Sequence, residues 1–216
     1  MDAATAGIDT VRWVKVFTTG GVTGTTTDTF TARADRAGDA ILIHAYCGGP
    51  GAPPSGASIT ATGWSFAMLS PVTGSSSQAD WAVAFAAIAP NTTAATFTVR
   101  FTTASCSAGL ASLGDEFTNN NLTGGATTFV EHAEAFGQDD CTVALSPGQS
   151  GDAVWGGCSA GVLDVGPGFV KGTDDGGGNW TESRITTASD GGPIPVTFVN
   201  QAGHDYIITA ATIKHR

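Results

Sequence analysis

The chain has 216 residues, a net charge of −10 and only 13% charged residues, with 30 glycines and 9 prolines. So little charge excludes a coiled coil or a charged disordered tail, and the lack of a Gly-X-Y period excludes collagen. A hydrophobic share of 41% suffices for a core of ordinary size, so the composition describes a Gly-turned, Thr-rich, all-β protein.

Short β-prone runs recur along the chain, divided by Gly, Pro, Ser and Asn clusters. The predicted strands are 11–17, 25–32, 39–47, 58–69, 80–88, 95–101, 109–117, 126–136, 141–145, 152–157, 179–185, 195–199 and 205–213. Alternation is clearest at 95–101, where Phe97, Val99 and Phe101 share one face and Thr96, Thr98 and Arg100 the other. Segment 80–88 has two readings. Trp81, Phe85 and Ile88 fit a helical stripe, with Asp80 as cap and Pro90 as stop. Strict alternation fits a strand equally well.

An internal repeat favours the strand. GDAILIHAYCGG (38–49) resembles GDAVWGGCSAG (151–161), and ITATGWSFA (59–67) resembles DVGPGFVKG (164–172). Segment 79–89 then lines up with 178–188, Trp81 on Trp180, and 98–117 with 196–216. The second copy of the Trp block, NWTESRITT, has no helical stripe. Two half-repeats, each with one apolar sheet face, bury both faces by stacking. The expected fold is therefore an antiparallel β-sandwich, a single domain over 1–216 with pseudo-repeats at about 11–117 and 126–216. Residues 118–128 are long enough for a crossover between sheets.

The four cysteines, Cys47, Cys106, Cys141 and Cys158, contain no C-x-x-C pair. If 141–145 and 153–158 form a hairpin across SPGQSGD, Cys141 and Cys158 face each other and can form a disulfide. The other reading is buried thiols acting as small hydrophobes.

The residues that carry chemistry are sparse. The few basic residues are scattered, which argues against nucleic acid, and no apolar run approaches the ~18 residues of a membrane span. The N-terminus lacks the basic and apolar regions of a secretory signal, so synthesis in a cytoplasm without a signal peptide is expected. Glu131 and Glu134, three apart on one strand, point to opposite faces and cannot pair as glycosidase carboxylates. No G-x-S-x-G elbow occurs, and the histidines have no metal-like spacing. His44 reads as a hydrogen-bonded structural residue and His215 as a solvated tail residue. Asp174 and Asp175 before three glycines read as a tight turn in preference to a calcium loop. No catalytic residue, metal ligand or cofactor is expected. Of the five tryptophans, Trp81 and Trp180 are expected in the core, and Trp155, beside Gly156 and Gly157, is the candidate for an exposed ligand-binding platform.

The order of motifs also carries a resemblance. Ala37-Gly38-Asp39 opens an apolar strand. Gly63-Trp64, the strand from Ala95 to Phe101, and Asp115-Glu116-Phe117 follow. This pattern resembles Gly/Thr/Ala-rich, concanavalin-like jelly-roll sandwiches of tailed phages and bacteria. For phage members it implies a non-enzymatic protein of the virion surface, such as a capsid decoration or cement protein. Such a protein would be homo-oligomeric and would contact the major capsid protein or other virion subunits. For bacterial members it implies a carbohydrate-binding module or lectin-like adhesin that takes a host glycan.

Overall fold

The computed structural model describes residues 10–18, 20–49, 52–75, 80–121, 129–138, 141–146, 149–159 and 161–216. Among them every regular element is a strand. The first half of the chain contributes β1 (Arg12–Thr18), β2 (Gly21–Val22), β3 (Thr27–Ala32), β4 (Ala40–Gly48), β5 (Ala57–Thr60), β6 (Phe66–Met68), β7 (Thr73–Ser75), β8 (Asp80–Ile88), β9 (Ala95–Phe101) and β10 (Gly109–Thr118). The second contributes β11 (Phe129–Gln138), β12 (Cys141–Leu145), β13 (Ala153–Ser159), β14 (Val162–Asp164), β15 (Val170–Asp174), β16 (Trp180–Ile185), β17 (Ile194–Asn200) and β18 (Asp205–Ile213). Segment 80–88 is a strand, and the expected strand 58–69 is two, β5 and β6, separated by a turn.

These strands form antiparallel sheets. In the first half a large sheet runs β1-β10-β4-β8-β6, with β2 on β10 and β7 on β8, and a small sheet runs β3-β9-β5. In the second half the large sheet is β11-β18-β13-β16-β15 and the small one β12-β17-β14. The expected pair of stacked half-sheets is there, as the two large sheets. Each also carries a second, smaller sheet on its outer side, so the described residues form four layers.

Side-chain alternation explains the layering. On β4, Ile41, Ile43, Ala45 and Cys47 face outward and pack with Phe97, Val99 and Phe101 of β9. Ala40 and Leu42 face the opposite way, into a central core with Phe117, Ala153, Trp155, Ala211 and Ile213. The second half has its own outer core, in which Val154, Ile208 and Ala210 meet Val196 and Phe198. Strands buried on both faces read as nearly unbroken apolar runs, which is why β4, β8 and β18 do. Strands of the small sheets have one wet face, which is why β9 and β17 alternate.

The two halves have the same strand order when β1, β10, β4, β8 and β6 are matched with β11, β18, β13, β16 and β15, and β3, β9 and β5 with β12, β17 and β14. The registers agree as well. Ala40 sits opposite Phe117 and Ile88, and Ala153 sits opposite Ile213 and Ile185. Both Gly-Asp-Ala motifs start their strand with one set of backbone bonds: Gly38 donates to Ala89 and Ala89 to Asp39, while Gly151 donates to Thr186 and Thr186 to Asp152. Gly38 and Gly151 have φ of 93° and 101°, a conformation other residues adopt at a cost.

All four cysteines are paired. Cys47 of β4 joins Cys106 in the β9–β10 loop, and Cys141 joins Cys158. The latter bond does not close a hairpin as expected. β12 and β13 belong to different sheets, and the bond crosses the outer core between them. The buried-thiol reading is thereby corrected.

Candidate functional site

Trp155 is not a platform. It is fully buried in the central core, and its Nε1 donates to Asp115 Oδ2 at 2.8 Å. Its glycine neighbours mark tight packing and not an open surface. A Cβ on Gly156 would lie 2.4 Å from Val196 Cγ1, and one on Gly157 2.5 Å from His44 Cβ.

The most exposed tryptophan is Trp13 on β1, 40% exposed. Its Nε1 donates to the other oxygen of Asp115 at 3.0 Å, which fixes the ring. The ring borders a groove of about 370 Å³ between the halves, lined also by Gly168, Val170, Arg184, Ile185 and Thr187. Val170 is exposed and Arg184 is ion-paired with Asp190. A rigid aromatic face beside a cation and hydroxyls can stack on an apolar ring face and bind polar substituents around it. Sequence reading missed Trp13 because its exposure arises from position. β1 is the edge strand of its sheet and lies against the second half's β15.

Asp115 is the hub beneath this groove. It is fully buried, and Thr173 Oγ1 also donates to it, at 3.3 Å. Burial pushes its carboxyl up, opposed by hydrogen bonds from Thr181, Trp13, Trp155 and Thr173. The donors come from both halves, so the carboxylate ties them together. A second tie is His44, whose Nδ1 and Nε2 lie 2.8 Å from Thr209 Oγ1 and Ser159 Oγ. Burial lowers its pKa to about 3, so the ring is neutral and bridges as donor and acceptor. His215, expected to be solvated, instead docks its Nδ1 on Asp152 Oδ1 at 2.6 Å.

The other candidates resolve as follows. Asp175 Oδ1 accepts the N–H groups of Gly177 and Asn179, and Asp174 Oδ1 that of Gly176. Both carboxylates hold the β15–β16 turn, with Gly176 and Gly178 at positive φ. Glu131 and Glu134 lie on β11 opposite Thr212 and Thr209. Trp81 and Trp180 are half-buried, and Lys171 Nζ stands 3.4 Å above the Trp180 ring.

Two further acids are fully buried, Glu116 and Glu182. Burial raises Glu182 to about 8, against the pull of the Gly166 and Thr197 N–H groups. Burial also raises Glu116 to about 7, opposed by the Asp35 N–H and by Lys15 and reinforced by Asp39. Both folded values lie above the unfolded carboxyl value of 4.5. Their contribution is therefore complete below about pH 4.5 and lost as pH rises through about 7 and 8. His44 runs the other way, since its depressed pKa removes stability as pH falls below about 6.5. With the raised carboxyls of Asp115, Glu116 and Glu182 against one imidazole, stability should fall from about pH 5 to about pH 8.5 by a few kcal/mol, since each tenfold change in proton affinity is worth ~1.4 kcal/mol. Thermal melts across this range check the slope, and Glu182→Gln should flatten its alkaline end. A melting temperature that rises toward pH 8.5 would contradict the assignment.

No family model, curated protein or solved structure matches the chain.

Proposed function

We propose that the chain is a non-enzymatic structural protein of a phage particle surface, in the manner of a capsid decoration or cement protein. It would contact the major capsid protein or other virion subunits, as a homo-oligomer. The observation that carries this reading is the build of the molecule: two sandwiches, each with one disulfide in its outer core, joined through a third core into a block. Two disulfides suit the oxidising exterior that a particle meets once released. Strand order within each half comes close to a jelly roll. The large sheet takes its first, last, third, sixth and fifth principal strands in spatial order and the small sheet its second, seventh and fourth, so the fifth strand lies on the large sheet where a full jelly roll would put it on the small one. Exposed apolar side chains on separate strands, Met68, Leu163 and Val199, provide contact points that gain strength when many copies bind one lattice. Mass spectrometry of purified virions tests the proposal. The chain should occur in stoichiometric amounts, and its absence from particles would overturn the reading.

The Trp13 groove favours a second reading, a carbohydrate-binding module that stacks a host sugar on the indole. Here a glycan array should show saturable binding that Trp13→Ala weakens at least tenfold while the melting curve survives. Binding untouched by that change would reject the groove as the sugar site.

A further inference from the structure

Lys15 on β1 and Glu116 on β10 are cross-strand partners in the antiparallel register. The Lys15 amine makes a direct ion pair with Asp35, in the β3–β4 connection. Glu116 stands behind both groups. Its Oε1 accepts the Asp35 N–H at 2.6 Å, and its Oε2 lies 3.5 Å from Lys15 Nζ. That Oε2 has no hydrogen-bond partner. Asp39, also buried, is a close acidic neighbour of Glu116. A surface ion pair needs no such support, since exposed pairs contribute little with or without it. A fully buried carboxyl held against an amine and the segment bearing its carboxylate partner is costly unless it has work to do.

We infer that Lys15 and Asp35 condense to an intramolecular amide, with Glu116 as the proton carrier. The ammonium of Lys15 passes a proton to Glu116 Oε2. The neutral amine attacks Cγ of Asp35 and forms the new C–N bond. Glu116 returns that proton to the departing oxygen, the nitrogen of the new C–N bond gives up a second proton to the same oxygen, the C–O bond breaks, and water leaves. Ammonium plus carboxylate gives amide plus water, and no oxidant or second substrate is required. The fold supplies the proximity that makes such a condensation unimolecular, and Glu116 supplies general acid–base catalysis. Its raised pKa, about 7, lets it both take and give the proton near neutrality. Lys15 and Asp35 are 32% and 49% exposed in their side chains, which gives the water a way out. The bond would fasten the edge strand β1 to the β3–β4 connection.

Intact mass of the full chain, incubated at neutral pH and then fully reduced, tests the step. The expected mass is one water below that of the sequence, and digestion should yield a branched peptide joining Lys15 to Asp35. Lys15→Arg, Asp35→Ala and Glu116→Gln should each restore the full mass. The first two change a half-buried and an exposed side chain that both reach solvent, so they report even if the buried Glu116→Gln variant fails to fold. A wild-type chain at full mass overturns the inference. So does a lost water found in peptides without Lys15, as cyclisation at Asp175-Gly176 or Asp190-Gly191 would produce.

Discussion

Replacing Trp155 with alanine should cost about 4 kcal/mol or more, among the largest effects of any single truncation in the chain. Two effects combine. Emptying a buried tryptophan site costs roughly 3–5 kcal/mol, and withdrawing a donor from a buried carboxylate adds about 1–3 kcal/mol, not fully additively. Trp155 is fully buried in the core that both halves share, and it donates to Asp115, which cannot turn to water. Trp13→Ala removes a donor from the same carboxylate but much less buried surface, so it should cost clearly less. Denaturant midpoints of the two variants measure the difference. A Trp155→Ala loss below about 1 kcal/mol would mean that the central core does not hold the halves together.

Removing the Cys47–Cys106 bond should have a comparable effect. Its partners are 59 residues apart, against 17 for Cys141–Cys158. Loop-closure entropy then gives about 4 kcal/mol for the first and about 3 kcal/mol for the second, as upper values. Serine pairs at each bond, unfolded in denaturant without reductant, test both numbers and their order. If the short-loop variant proved the weaker one by a wide margin, unfolded-state entropy would not be the main source of stability.

Much of this architecture was legible in the chain. The runs AILIHAYC and WAVAFAAI are apolar at nearly every position because β4 and β8 are covered on both faces, and TFTVRF alternates because β9 is covered on one. The same contrast holds the information that four layers exist, but a continuous apolar run has several meanings until its partners are known. The strands that escaped notice are β2, β7, β14 and β15, which have two to five residues and are rich in Gly, Thr, Lys or Asp. Their pairing comes from neighbouring strands and not from local pattern. For the site, Gly156 and Gly157 suggested that Trp155 was open, whereas those glycines are required by the closeness of Val196 and His44. Cys141 and Cys158 were paired for the wrong local reason, and no local signal links Cys47 to Cys106 across 59 residues.

The contact between His44 and Gly157 has a consequence for symmetry. Matching Ala40 with Ala153 makes these two residues counterparts, and they meet each other across the central core. A residue that touches its own counterpart sits beside a twofold axis. The molecule therefore has the form of a homodimer written as one polypeptide. Two identical bulky side chains could not share that place: His44 uses it to bridge Ser159 and Thr209, and Gly157 leaves room for the ring. The facing surfaces of the two large sheets are used up inside the molecule, so self-assembly has to use the outer sheets or the strand edges.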